Sequence, residues 1–162
     1  MLFKYFITAL AIRSFLSFEC NAQTTQKTIQ EKFNQCCKDL TEHTVSAEYA
    51  KSHIGKAIFI DARSKEERSI SIIPGAITID KLNKNHKSSE IIVYCTIGYR
   101  SGKTTETLRS QGYAAHNLEG GILAWTWAQG PLLTPTGKKT HALHTWSDKW
   151  NLTPPNYSAK NH

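Results

Sequence analysis

The chain has 162 residues, 40% of them hydrophobic, which suits one domain with a substantial core and is too short for two typical domains. Its formal net charge is +7 at pH 7, from 20 Lys and Arg against 13 Asp and Glu. Because the basic residues are scattered and no basic run contains interleaved aromatic residues, the charge favours small anions and argues against nucleic acid as a partner.

Residues 1–22 are predicted to be an export signal. Lys4 precedes an apolar stretch over residues 5–18, which Arg13 interrupts, and small residues follow at 20–22. The stretch is shorter than the roughly 20 residues that a spanning helix needs, and the small residues offer a cleavage site. We therefore predict a periplasmic or secreted protein with no stable membrane contact after cleavage. The alternative is a membrane anchor formed by the uncleaved segment.

The rest of the chain divides into three predicted parts. Residues 23–43 are polar and form a lead-in with a helix over about 29–40. Residues 44–133 form the domain, and residues 134–162 form a C-terminal extension with several prolines and little periodicity. Large aromatic side chains in a free tail would expose apolar surface, so three of them are expected to pack back on the domain: Trp146, Trp150 and Tyr157.

Helical and strand patterns alternate within the predicted domain. Ser46 is placed to cap the first helix, and Pro74-Gly75 predicts a turn. The predicted strands are 56–61, 76–79, 91–94 and 114–118. The predicted helices are 47–53, a short one over 64–69, 102–111 and 121–129, with 81–90 as helix or loop. Strands separated by helical crossovers indicate an α/β fold with a central parallel sheet flanked by helices on both faces.

Cys95 follows the most continuously apolar of these strands and precedes a loop that contains Gly98. Ligands of parallel sheets bind outside the carboxyl ends of the strands, and the following helix directs its positive end toward this point. A buried structural cysteine is the alternative interpretation, since cysteine is common in apolar strands. The position before a glycine-containing loop favours a reactive thiol.

The length of the Cys95 loop discriminates between three anion-binding chemistries. A nucleotide P-loop, GxxxxGK[ST], needs four residues between its glycines, but only three separate Gly98 from Gly102. A cysteine phosphatase loop has five residues between cysteine and arginine, but only four separate Cys95 from Arg100. A sulfur-transfer loop that closes on the outer sulfur of a cysteine persulfide has the observed length.

Four segments in order carry a resemblance to a known family: "IFIDARSKEER", "IPGAITI", "IIVYCTIGYRSG" and "NLEGGILAW". Together they resemble the rhodanese family of single-domain sulfurtransferases over about residues 44–133. The resemblance implies a rhodanese-like α/β fold with Cys95 as the sulfur-carrying nucleophile. It also implies a substrate-binding loop made of Thr96, Ile97, Gly98, Tyr99, Arg100 and Ser101. One departure is Ile72, where family members often carry histidine.

Supporting roles are also implied outside the loop. Asp61 and Arg63 match a family segment on the neighbouring strand, and residues 119–121 match the family's "EGG" turn. We expect Asp61 to accept hydrogen bonds from loop N–H groups. We expect Arg63 to form an ion pair with Glu66 or Glu67.

The expected activity moves a sulfane sulfur from a donor such as thiosulfate through a Cys95 persulfide to a thiophilic acceptor. The donor is a small sulfur-containing anion whose sulfonate Arg100 would bind, and the acceptor is a thiol or cyanide. No cofactor is expected, and the protein is expected to be a monomer.

Alternative functions use the same residues differently. One is a non-catalytic rhodanese-like module for sulfur carriage or interaction, and another is a thiol-redox protein that uses Cys95 with Cys36 or Cys37. A phosphatase or arsenate reductase is disfavoured by the short loop. No metal site is predicted, because neither of two candidate groups has a four-ligand spacing: His141 with His144, and Cys36, Cys37 with His43.

Overall fold

A computed structural model describes residues 21–160 of the protein. The predicted export signal therefore lies almost wholly outside the described residues. Within residues 21–160, none of the helices combines the length and the apolar character that crossing a membrane requires.

Four parallel strands form the central sheet in the order β1-β4-β3-β2. The strands are β1 (Thr44–Val45), β2 (Ile58–Asp61), β3 (Glu90–Tyr94) and β4 (Ala114–Leu118). Strand β3 pairs on both sides, with Ile92 opposite Phe59 of β2 and His116 of β4. Because Cys95 directly follows β3, it lies in the middle of the carboxyl edge of the sheet.

Helices cover both faces of this sheet, as predicted. Helix α1 includes residues 21–36 of the described chain, and the others are α2 (Ala47–Ser52), α3 (Lys65–Ile70), α4 (Tyr99–Ser110) and α5 (Gly121–Trp127). Successive residues of a strand point to opposite faces, and β3 divides accordingly. Ile92 and Tyr94 join a core that contains Trp125 of α5, whereas Ile91 and Val93 join a second core closed by Leu108 of α4. The predicted α/β architecture is confirmed.

Most predicted elements occur near their predicted positions. The Ser46 side chain accepts a hydrogen bond from the Tyr49 N–H at 3.2 Å and so caps α2, as predicted. The predicted strand over 76–79 is wrong as a strand, since its only ladder contact is a single parallel bridge between Ile77 and Ile60. The turn that Gly75 makes, with φ +74°, leaves too few extended residues before the helical turn Ile79–Lys81.

Helix α4 begins at Tyr99, three residues before the predicted start at 102. Gly98 ends the loop with φ +116°, and the chain becomes helical immediately after it. Arg100 therefore belongs to the first turn of α4 and not to an open loop. This shift places the N-terminus of α4 directly beside Cys95.

The lead-in and the C-terminal extension both pack on the domain. Ile29 and Phe33 of α1 are buried in the interior. Leu133, the last residue of the predicted domain, exchanges backbone hydrogen bonds with Ile72, and in the extension Leu152 accepts a hydrogen bond from the Trp127 indole at 2.7 Å. A small parallel sheet of β5 (Ala142–His144) and β6 (Ser158–Lys160) completes the extension. Strands of three residues show no period in the sequence, so this sheet was not predicted.

A buried ion pair joins the ends of β2 and β3. The Arg63 guanidinium donates to both carboxylate oxygens of Asp61, at 2.9 and 2.7 Å, and the Tyr94 hydroxyl donates to Asp61 Oδ2 at 2.6 Å. Asp61 also accepts a hydrogen bond from the Arg63 N–H at 3.0 Å, in the loop after β2, so the expected bond from a loop N–H is present, but the expected ion pair of Arg63 with Glu66 or Glu67 is wrong. A spacing of two residues lets the Arg63 side chain fold back on Asp61 before it can reach α3.

Arg63 keeps its charge in the interior. Burial by itself would lower the pKa of Arg63, but the Asp61 carboxylate outweighs burial and raises that pKa above its usual value. The guanidinium also donates to the Ser71 carbonyl at 2.6 Å. Both Asp61 and Arg63 are thus structural supports that fix how the strand ends meet.

The first prediction concerns this pair. Arg63→Ala would leave the Asp61 carboxylate buried without its cation, so we expect the free energy of unfolding to fall by about 3–5 kcal/mol. Urea denaturation followed by circular dichroism measures the change. The control is Lys56→Ala, at an exposed position, for which we expect a change within about 0.5 kcal/mol. A loss below about 1 kcal/mol for Arg63→Ala would show that Asp61 finds another partner or takes up a proton.

Candidate active site

The Cys95 sulfur lies beneath the N-terminus of α4. The side chain is only 1% exposed, and two donors point at its Sγ: the Gly98 N–H at 3.2 Å and the Ser101 hydroxyl at 3.4 Å. The helix adds partial positive charge from its unpaired N–H groups. These donors are oriented to bind negative charge that develops at this position, because charge-assisted hydrogen bonds are stronger than neutral ones.

Gly98 shapes the loop around that sulfur. Its φ of +116° is a conformation that other residues rarely adopt, and a Cβ here would lie 2.5 Å from the Phe33 ring of α1. Its carbonyl accepts a hydrogen bond from the Asn117 side-chain amide at 3.0 Å. The turn is thus held by α1 on one side and by β4 on the other.

The "EGG" turn holds the loop from a third side. The Ile122 N–H donates to the Cys95 carbonyl at 2.9 Å, and the Leu123 N–H donates to the Thr96 carbonyl at 3.3 Å. Gly121 has φ +57°, and a Cβ at this residue would lie 2.6 Å from both carbonyl oxygens. Glycine therefore lets α5 approach the loop backbone closely enough to bind its carbonyls.

Arg100 is engaged by Glu67 of α3. Its guanidinium donates to both Glu67 carboxylate oxygens, at 2.6 and 2.8 Å, and to the Thr96 hydroxyl at 3.1 Å. The Glu67 side chain is 1% exposed and that of Arg100 is 38% exposed. Glu67 also accepts from the Ser64 N–H at 2.9 Å, which completes a capping box at the start of α3.

Sequence reasoning missed this role of Glu67. The signal was present, because Ser64 and Glu67 have the S-x-x-E spacing of a capping box, which places the glutamate at the start of a helix near the sheet edge. The spacing could not show that the Glu67 carboxylate also points toward the Cys95 loop.

The Glu67 carboxylate is ionised in the folded protein. Burial alone would raise its pKa, but hydrogen bonds from Arg100, from the Ser64 N–H and from Thr96 outweigh burial and hold the pKa at about 2. In return, the hydrogen bond to Glu67 raises the pKa of Arg100, and the nearby Cys95 adds to that rise. Arg100 is therefore a fixed cation beside the sulfur.

A cavity of about 300 Å³ opens above Cys95. From the predicted site it is lined by Cys95, Thr96, Ile97, Tyr99 and Arg100. The other two predicted loop residues, Gly98 and Ser101, contact the Cys95 sulfur through hydrogen bonds, as described above. Asp61 and Arg63 do not line this cavity and act behind it, at the strand ends.

Segments outside the predicted domain complete the walls of this cavity, with Cys36 from α1 and two tryptophans from the C-terminal extension. Trp150 and Tyr157 pack against the core, as expected. Trp146 does not pack back, since it is 62% exposed and stands at the mouth with its ring centroid 5.7 Å from the Arg100 guanidinium carbon. Lys103, also in helix α4, does not line this cavity, and its ammonium group lies over the Tyr99 ring.

No metal centre accompanies these residues in the described part of the chain. Over residues 21–160, the His, Cys, Asp and Glu side chains form no group of three or more placed to hold a metal ion.

Comparison with known proteins agrees with this geometry. The sequence matches the family described as Rhodanese-like domain over residues 25–128, more than half of the chain. The protein belongs to the rhodanese-like domain family. The matched range begins within α1, so the family's similarity extends N-terminal to the predicted domain start at 44.

Curated relatives of this rhodanese-like protein carry sulfurtransferase names. A sulfurtransferase of Allochromatium vinosum is 30% identical over 87 residues, which cover 49% of this chain and 81% of that protein. A tRNA sulfurtransferase of Desulfurococcus amylolyticus is 36% identical over 70 residues, but these cover 42% of this chain and only 14% of that protein. The chain is thus a member of a sulfurtransferase family.

Solved structures show the same fold. A thiosulfate sulfurtransferase from Pseudomonas aeruginosa superposes with a TM-score of 0.54 and 19% identity, covering 68% of this chain and 23% of that protein. At this identity the likeness concerns the fold alone. It confirms the rhodanese-like architecture predicted from the four sequence segments.

The second prediction concerns Glu67 and pH. Its folded pKa of about 2 lies below its usual 4.5, so its ionisation stabilises the protein above pH 4.5, and this stabilisation is lost as pH falls toward 2. We expect the loss of this ionisation to lower the free energy of unfolding of the wild type by about 3 kcal/mol over that range. Glu67→Gln, which has no carboxylate at this position, should lack this part of the loss. Unfolding free energies measured between pH 5 and 2 test this.

The matched control is Glu66→Gln, at the exposed neighbouring position. This variant should keep the acid-dependent loss of the wild type. If Glu67→Gln and Glu66→Gln follow the same pH profile, Glu67 is not the titrating group.

Proposed function

We propose that the protein is a sulfurtransferase that moves a sulfane sulfur from an anionic donor such as thiosulfate, through a Cys95 persulfide, to a thiophilic acceptor. The observation that carries the proposal is the pair of donors, the Gly98 N–H and the Ser101 hydroxyl, directed at a buried Cys95 sulfur that lines an open cavity. A structural cysteine needs neither donors nor a cavity.

The first step is attack of the Cys95 thiolate on the outer sulfur of the donor. With thiosulfate, a bond forms between Cys95 Sγ and the sulfane sulfur, and the sulfur–sulfur bond of thiosulfate breaks. Sulfite leaves with the bonding electron pair. The product is a persulfide whose negative terminal sulfur the loop N–H groups and the α4 N-terminus stabilise, as donors stabilise an oxyanion.

The second step returns the enzyme to its starting state. A thiol or cyanide attacks the terminal sulfur, the bond to Cys95 breaks, and its electron pair returns to Cys95 as thiolate. The reaction consumes no external oxidant or reductant and needs no cofactor. We also propose that the donor is a small molecule and that the protein binds no nucleic acid. The protein is proposed to act as a monomer and to be exported, as residues 1–22 predict.

Arg100 is the candidate for binding the donor's sulfonate. A guanidinium has five N–H donors, and the hydrogen bonds to Glu67 and Thr96 occupy three of them. The Nε–H and one Nη1–H of Arg100 stay available for sulfonate oxygens. Glu67 offsets part of the positive charge of Arg100. We therefore propose that Arg100 contributes more to orienting the donor than to attracting it.

The third prediction tests the persulfide. Wild-type protein incubated with thiosulfate should gain the mass of one sulfur atom, and cyanide should remove it, whereas Cys95→Ser should gain none. Intact-mass spectrometry measures each state. Cys37→Ser is the matched control, since Cys37 is also buried but does not line the cavity, and it should gain the sulfur. The absence of any gain in the wild type would favour the non-catalytic module.

The fourth prediction isolates Arg100 from its structural partner. Arg100→Ala alone would leave the Glu67 carboxylate buried and unpaired, so the substitution is made in a Glu67→Gln background. Compared with Glu67→Gln, the double variant should raise KM for thiosulfate by about tenfold, which corresponds to the loss of one charged hydrogen bond. Steady-state kinetics with cyanide as acceptor give this value. An unchanged KM would remove Arg100 from donor binding.

A further inference from the structure

Three thiols gather where α1 ends against the Cys95 loop. Cys36 lines the same cavity as Cys95, and its Sγ lies 3.2 Å from the Sγ of Cys37. All three are free cysteines. The transfer proposed above uses Cys95 alone, so the adjacent pair has no role in it.

The end of α1 is held firmly against the loop. Phe33, one turn before Cys36, fills the space beside Gly98 so closely that a Cβ on this glycine would lie 2.5 Å from the ring. The Cys37 N–H continues the helical pattern by donating to the Phe33 carbonyl at 2.8 Å. The Cys36 thiol is therefore carried at a fixed place on the cavity wall.

Cys36 and Cys37 differ in what they can do. Cys37 is buried, and burial, followed by its hydrogen bond with Cys36, raises its pKa well above the usual value. Cys37 thus keeps its proton and can donate its S–H to the Cys36 sulfur. Cys36 is only partly buried and opens on the cavity. Cys36 is the accessible nucleophile, and Cys37 is its hydrogen-bond donor.

We propose that Cys36 is a relay thiol that takes the sulfane sulfur from the Cys95 persulfide; this inference rests on the proposed function. The Cys36 thiolate attacks the terminal sulfur, and a new sulfur–sulfur bond forms to Cys36 Sγ. The bond from Cys95 Sγ to that sulfur breaks, and its electron pair returns to Cys95 as thiolate. The proton of Cys36 passes to solvent. One persulfide replaces another, so no oxidant or reductant is needed.

The depth of Cys95 explains why a relay is useful. Its side chain is 1% exposed, under a cavity whose mouth Trp146 and Trp150 narrow. Adding a sulfur extends the reactive atom by only about 2 Å, the length of one sulfur–sulfur bond. Cyanide fits wholly inside such a cavity, whereas a thiol carried on a peptide or protein must reach in from outside it. Cys36, on the cavity wall and more exposed, can present the sulfur to this class of acceptor.

The test follows the sulfur by peptide mapping. Wild-type protein is loaded with thiosulfate, sampled over time, treated with an alkylating agent that traps thiols and persulfides, and digested with trypsin. Cys36 and Cys37 fall in the peptide 33–38 and Cys95 in the peptide 88–100. We expect the extra sulfur first on 88–100 and then on 33–38. It should be lost from 33–38 in Cys36→Ser but kept in the matched variant Cys37→Ser.

Each other outcome overturns a defined part of the inference. Sulfur that stays on 88–100 in the wild type overturns the relay and leaves the proposed function intact. Sulfur that is lost from 33–38 in Cys37→Ser and kept in Cys36→Ser overturns the choice of Cys36. Sulfur on neither peptide overturns the proposed function and the relay with it. The wild-type time course shows whether the sulfur moves from 88–100 to 33–38 even if a variant does not fold.

Discussion

The site depends on the hydrogen bonds that α5 makes to the backbone of the Cys95 loop. A turn whose N–H groups converge on one sulfur must direct its carbonyls elsewhere, and buried carbonyls need donors. The N–H groups of Ile122 and Leu123 supply them, at a distance that only glycine at position 121 permits. Without this contact the loop could not hold its donors toward the sulfur.

The buried carboxylates around the loop belong to two ion pairs. Asp61 and Arg63 neutralise each other at the strand ends, away from the cavity. Glu67 and Arg100 form the second pair, which ties α3 to the first turn of α4. Both of these carboxylates therefore have their own guanidinium partner, and the Arg100 side chain is held in place, which reduces the ordering that the proposed donor binding requires.

Segments from both ends of the described chain line the cavity above the Cys95 sulfur. Helix α1 brings Cys36 to the cavity, and the C-terminal extension brings Trp146 and Trp150. The loop and its cysteine follow strand β3, whereas Cys36, Trp146 and Trp150 add walls to the same cavity from the two ends of the described chain. The proposed selection of acceptors therefore depends on both terminal segments.

The sequence by itself determined the parts that depend on local chain properties. Most helices and strands of the domain, the length of the loop from Cys95 to Arg100, and the Ser46 cap were predictable, because each depends on residues close in the chain. Only the tertiary structure decided which groups meet across long separations: Glu67 with Arg100, Gly121 with the loop carbonyls, and Cys36 with the cavity of Cys95. Such contacts depend on three-dimensional packing, and no spacing along the chain encodes them.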